Sequence, residues 1–356
     1  MIIPLILQLL GIGLIIILAV GVLSPFESMG WWAGWTKESK PELPEVEPPQ
    51  ETPGNTEPEF GHYVVYLSGI GAISGDFLEK YEIAFLDKVE ARVPSTAVVR
   101  DVFPYSMNNN GLTGHRAFKS LWQRIKDLKL KNKQLLANLV MLRNVFQVAV
   151  SADRRYGPIY NFGTCGVILD GLRRKGYRVG SGIPVTLIGY SGGGQVSVGA
   201  ATYLGPVLKA PILIISLGGV MADDPGFANV SHLYHFHGQK DPVQSLGQIL
   251  YAGRWPILPQ SPWNKAKAEG KITMIDAGPV THQDPGGYFL QSEEEKEKGE
   301  HSQDRIVDMI VEIINHPKDV VHFPEENREK EPHAVQSSTP SEESSEQDDP
   351  KGSPLQ

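Results

Sequence analysis

The chain has 356 residues, a formal net charge of −8 and one cysteine, Cys165. A single cysteine excludes an internal disulfide, and no nucleic-acid partner is expected. The acidity is local: residues 36–59 carry −5 and the stretch from Pro324 carries −6, which leaves about +3 for the rest of the chain.

Residues 1–23 are almost wholly apolar and have no charged side chain, a length that crosses a hydrocarbon core of ~30 Å as a helix. Trp31, Trp32 and Trp35 follow, aromatics of the kind that settle at a membrane interface. A cleaved signal peptide would have a basic start and a shorter apolar core. The pattern predicts an uncleaved transmembrane anchor over 1–26; Lys37 and Lys40 are mixed with acidic residues and leave its sidedness open. Residues 27–60 form the Trp-containing interface segment and a tether rich in Pro and Glu, too polar to bury a core. Residues 61–323 are then one domain with room for a large buried sheet, and 324–356 a disordered acidic tail.

Within the domain, strand and helix patterns alternate. His62 to Leu67 (HYVVYL) is a strand leading into the small-residue loop Ser68-Gly69-Ile70-Gly71, and a second strand lies near Ala97 to Phe103. From His115 to Lys133, Phe118, Leu121, Trp122, Ile125 and Leu128 recur at helical spacing, with seven Lys/Arg against one Asp. Such a helix either lies in a membrane interface or packs its stripe on the sheet with the lysines solvated. Helices are expected near Gln134 to Val150 and Asn161 to Lys175, the second holding Cys165 in its core.

Ile183 to Ile188 is an apolar, β-rich run that delivers Gly189-Tyr190-Ser191-Gly192-Gly193, after which small residues open a helix to about Tyr203. This is G-x-S-x-G in a strand-to-helix setting. A serine on so sharp a turn projects its hydroxyl above the sheet, where side chains two residues either side would collide. It also stands beside a helix N-terminus, whose N–H groups favour an oxyanion. Pro211 to Leu217 and Ser231 to His237 are further strands, the latter followed by Gly238-Gln239-Lys240-Asp241-Pro242-Val243. Lys271 to Ala277 is the last strand, followed by Gly278 to His282. Ser302 to Asn315 closes the fold as a helix with Ile306, Met309, Ile310 and Ile313 on one face.

From His62 to His316 this order resembles the α/β-hydrolase superfamily, in which nucleophile, acid and histidine follow one another along the chain. The resemblance implies an α/β fold, mostly parallel, with helices on both faces. It implies Ser191 as nucleophile, Asp241 as the acid and His282 as the base. Gly192 with Gly69 or Ile70 would supply the oxyanion hole, although the loop departs from the HGGG form of many esterases. The chemistry is independent of the family: a serine hydroxyl needs a histidine to take its proton, and a carboxylate must hold the imidazole's tautomer. Asp223 or Asp224 is the rival acid; His232, His235, His237, His301 and His316 are the rival histidines. Phosphate-binding, metal and cofactor motifs are missing, so no cofactor or metal is expected. The expected activity is hydrolysis of a carboxylic ester, either a membrane lipid or a small ester, by a protein held at the bilayer. Thioester or amide cleavage, acyl transfer, and a non-catalytic scaffold on the same fold are the alternatives.

Overall fold

The computed structural model describes residues 59–74, 78–106, 133–298 and 301–316, with scattered positions between 11 and 33. The tether, most of the basic amphipathic stretch at 115–133 and the acidic tail lie outside the described residues, as does most of the anchor. The described positions between 11 and 32 are helical. Among the described residues no helix is long and apolar enough to cross a membrane.

The described residues form one sheet of strands β1 His62–Leu67, β2 Thr96–Val102, β3 Val185–Tyr190, β4 Ile212–Leu217, β5 His232–His237 and β6 Ile272–Asp276. Their order is β2-β1-β3-β4-β5-β6 and every neighbouring pair is parallel. A parallel sheet is covered on both faces, which is why β1 and β4 are buried along their whole length and read as continuous apolar runs.

The helices are α1 Lys80–Glu90, α2 Lys133–Ala152, α3 Gly157–Arg174, α4 Gly192–Leu208, α5 Leu246–Leu250, α6 Pro262–Ala268, α7 Glu293–Glu297 and α8 Ser302–Asn315. The alternation of β1 shows how they divide. Tyr63, Val65 and Leu67 share a core with Cys165 and Leu169 of α3 and Val196 of α4. Tyr66, between them, points the other way and donates its hydroxyl to Glu82 of α1 at 2.6 Å. So α2, α3 and α4, which pack on one another, cover one face, and α1 with α8 covers the other. The expected face of α8 is the buried one: Ile306, Met309, Ile310 and Ile313 all point inward.

This topology creates a crevice. The chain leaves β1 towards α1 on one face and leaves the adjacent β3 directly into α4 on the other. Loops that diverge to opposite faces open a cleft beyond the carboxyl ends of the two strands, the usual ligand position in open α/β sheets. The loops after β3, β5 and β6 carry Ser191, Asp241 and His282 to that same edge.

Candidate active site

Ser191 occupies a backbone conformation that few side chains adopt, φ 52° and ψ −119°. Holding a non-glycine residue there costs on the order of 1–3 kcal/mol and needs surroundings that over-determine it. They do. Its N–H donates to Leu217 O at 3.0 Å, and its carbonyl accepts from Gly194 N at 3.1 Å and Val220 N at 3.4 Å. The flanking glycines are required by contact rather than by flexibility. A Cβ on Gly189 would lie 2.7 Å from the backbone of Gly193, and one on Gly193 would lie 2.4 Å from Leu67 O.

His282 Nε2 lies 2.9 Å from Ser191 Oγ, and His282 Nδ1 lies 2.9 Å from Asp241 Oδ2. Asp241 is buried, 3% exposed, and its carboxylate is well supplied with donors. Oδ2 also accepts the Tyr288 hydroxyl at 2.9 Å, while Oδ1 accepts Val243 N at 2.9 Å and Gln244 N at 3.4 Å. Burial alone would raise its pKa, but the bonds from His282, Tyr288 and Val243 outweigh burial and hold Asp241 below the usual carboxylate range. It is therefore an anion at neutral pH, able to fix the imidazole with Nδ1 protonated and Nε2 facing the serine.

The loop that carries His282 is held from behind. The Tyr190 ring stacks on the imidazole with centroids 5.6 Å apart and 25° between planes, and its hydroxyl donates to the His282 carbonyl. Phe289 packs edge-on against Tyr190 at 4.9 Å, Phe85 at 5.0 Å and Tyr66 at 6.3 Å. Asp284 accepts Leu290 N at 2.7 Å and Phe289 N at 3.1 Å, and burial raises its pKa to about 6.

On the other side of Ser191 lies the loop after β1. Gly192 opens α4, so its N–H precedes any intrahelical acceptor. A Cβ on Gly192 would come within 2.9 Å of Ile70 Cγ2, and one on Gly69 within 3.6 Å of Ser191 Cβ. The three residues expected to form an oxyanion hole are thus neighbours. Their loop is fastened by its carbonyls: Tyr105 OH donates to Ser68 O at 2.8 Å, and Asn144 Nδ2 donates to Ile70 O at 2.7 Å and Ala72 O at 2.9 Å. Asn144 is itself set by Arg143, whose Nη1 donates to its Oδ1 at 3.0 Å and to Tyr105 O at 3.1 Å. The loop is also closed on itself, with Ala72 N donating to Gly69 O at 3.1 Å.

The rival residues sit elsewhere. Asp224 accepts Gln195 Nε2 at 2.9 Å and Gly226 N at 2.8 Å, capping a short turn of helix, and Asp223 pairs with Arg154 at 3.0 Å. His232 bonds Thr273 at 2.8 Å, and His235 bonds Ser216 at 3.1 Å in a setting whose burial lowers its pKa to about 3. His301 and His316 cap the two ends of α8. Among the described residues no cluster of His, Cys, Asp or Glu could hold a metal ion.

Sequence reasoning missed Tyr190, Tyr288, Tyr105 and Asn144. Tyr190 is the variable position of the G-x-S-x-G pattern and could have been flagged; the other three carry no local signal. No protein-family model matches this chain, and no curated protein matches it.

Proposed function

We propose that this chain is a membrane-tethered serine hydrolase of the α/β-hydrolase superfamily that cleaves a carboxylic ester, with a lipid acyl ester as the preferred substrate class. One observation carries the reading: Ser191 Oγ, His282 and Asp241 Oδ2 stand in an unbroken relay of 2.9 Å steps, on a serine held at φ 52° beside a helix N-terminus. A surface serine in an ordinary turn has no reason to meet both conditions.

In the reaction, His282 Nε2 takes the Ser191 proton as Oγ bonds to the ester carbonyl carbon. Asp241 stabilises the imidazolium without itself being protonated. The tetrahedral oxyanion is met by N–H groups of Gly192 and of Gly69 or Ile70. The carbon–oxygen bond to the alcohol then breaks, and His282 returns the proton to the leaving alkoxide. Water attacks the acyl-enzyme by the same route, releasing the carboxylic acid and restoring Ser191. The membrane part of the proposal rests on the apolar, uncharged run at 1–23 and the tryptophans after it.

The test is labelling of the detergent-solubilised full chain by a fluorophosphonate, with Ser191→Ala as the control. Labelling of the wild type and none of the variant supports an activated serine. An unlabelled, folded wild type overturns the proposal.

A further inference from the structure

Away from the crevice, the chain between β5 and β6 makes an excursion whose apolar side chains face solvent. Ile257 is 76% exposed, and Ile249 and Leu250 are each 65% exposed; Leu246, Trp255 and Leu258 are exposed beside them. These residues belong together. Three are on α5, Trp255 Nε1 donates to Gln248 O of that helix at 2.8 Å, and Leu250, Ile257 and Leu258 line one cavity of about 930 Å³. Nor is the excursion loose. Asn264 Nδ2 ties Trp255 O at 2.8 Å and Leu258 O at 2.9 Å, and the Arg254 guanidinium stacks 3.7 Å over the Trp263 ring while bonding Met221 O at 3.2 Å. A soluble surface seldom holds so many large apolar side chains in a rigid, water-facing array unless something covers them.

The opposite wall of the cavity says what covers them. Tyr203 lines it, the Phe162 ring meets Tyr203 edge-on at 5.6 Å, and Trp32 meets Phe162 edge-on at 5.8 Å. Ser24 and Ser28, one helical turn apart, are buried, so the end of the N-terminal helix is seated on the domain. The uncharged apolar run at 1–23 ends immediately before Ser24. The helix that follows the run therefore packs, through Trp32 and Phe162, beside the wall that Tyr203 provides. We propose that the rim formed by Leu246, Ile249, Leu250, Trp255, Ile257 and Leu258 docks into the interface of the bilayer that the run enters. This would fix one face of the domain against the membrane. The inference rests on the membrane part of the proposed function and is independent of the catalytic part.

The test places an environment-sensitive fluorophore on Ile257→Cys in the full chain, reconstituted in vesicles of zwitterionic and anionic phospholipid. Cys165 can stay: it is fully buried and burial pushes its thiol pKa far up, so the wild type should take no label. Asp308→Cys, at an exposed position of α8, is the control site, and Leu250→Cys is the second probe site. Docking predicts a blue-shifted emission at 257 and 250 that loses most of its intensity when quencher-bearing lipid is included, with neither effect at 308. Emission at 257 and 250 matching that at 308 overturns the proposal. So does a blue shift that is equal in detergent and insensitive to lipid quencher, because protein would then cover the rim. Alkaline carbonate extraction reads the anchor separately. Release by carbonate with lipid quenching at 257 keeps the docking surface and discards the anchor, whereas retention without quenching keeps the anchor and discards the docking surface.

Discussion

Replacing Tyr288 by Phe removes one oxygen that performs two tasks in the proposed site. Its hydroxyl donates to Asp241 Oδ2 at 2.9 Å and accepts from Gly238 N at 2.9 Å, both buried. The variant leaves the Gly238 N–H without its acceptor, which costs about 1–3 kcal/mol, and withdraws a donor from a carboxylate, where a bond is worth about 1.5–3 kcal/mol. The ring is retained, so no cavity forms, and partial relaxation puts the expected destabilisation at about 2–4 kcal/mol. The sign with pH follows from Asp241, whose folded pKa is depressed. Its contribution is present above the unfolded carboxylate value and is lost as pH falls through the lower folded value. Losing the hydroxyl moves the folded pKa back up. The stability gap between wild type and variant should therefore be widest near neutral pH and narrow below about pH 4. Urea unfolding followed by circular dichroism across that range measures it. Because His282, Val243 and Gln244 still donate to Asp241, turnover of a short-chain nitrophenyl ester should fall by only about tenfold, well short of the loss expected when the carboxylate itself is changed. A stability gap that stays constant from neutral pH to below pH 4 would show that Tyr288 supports only Gly238 and the packing, and would refute the electrostatic part of the reasoning.

Four further outcomes are expected. Ser191→Ala should abolish ester turnover and fluorophosphonate labelling while unfolding at a temperature no lower than the wild type, since it relieves no packing and removes one small oxygen. Asp241→Asn should cost up to about 10⁴ in turnover by presenting the wrong tautomer, whereas Asp224→Asn, whose carboxylate serves Gln195 and Gly226, should lose stability and keep kcat; the reverse pattern would move the acid to the loop after β4. Asn144→Ala should lower kcat by about tenfold with KM little changed, less than the 10²–10³ of losing an oxyanion donor outright, because it frees the carbonyls of Ile70 and Ala72 without removing an N–H. Gly193→Ala should lower the melting temperature and abolish turnover, since its Cβ would sit 2.4 Å from Leu67 O and such overpacking costs about 1–3 kcal/mol.

The strands were legible because buried parallel strands are unbroken apolar runs, and HYVVYL and PILIISL stand out from any polar background. The boundaries drifted where proline intervened: the elbow strand begins at Val185 rather than Ile183, because Pro184 has no N–H for the ladder and contributes only its carbonyl, to Tyr63 N at 3.1 Å. Helix α8 was legible from its period, but α5, α6 and α7 are too short to display one. Helix α1 has the length yet hides its start, since its N-cap is Glu79, with Glu82 reaching back to the Glu79 N–H at 2.8 Å, instead of the usual Ser, Thr, Asp or Asn. The order of Ser191, Asp241 and His282 was visible because each follows a strand. Tyr288 was not, because its tie to Asp241 spans 47 residues and exists only once the loop after β6 has folded back.

The topology also separates the two halves of the candidate site. Because the chain diverges after β1 and β3, the oxyanion side is braced by the layer of α2 and α4, through Asn144, Tyr105 and the start of α4. The histidine side is braced by the other layer, where Tyr66 and Phe85 hold Phe289, and Phe289 holds Tyr190 beneath the imidazole. The loop after β1 rests on a small cluster of its own, Phe103, Tyr105 and Val148 with Ile70 and Ala72 packed on it, and Ser191 stands at the turn from β3 into α4. Perturbations of α2 should therefore act on the stabilisation of developing charge and show in kcat. Perturbations behind Phe289 should displace His282 and show as loss of both fluorophosphonate labelling and stability. The two halves meet where Gly69 lies against the Tyr190 ring; away from that contact, double changes drawn from opposite layers at residues that share no partner should combine additively, within a few tenths of a kcal/mol.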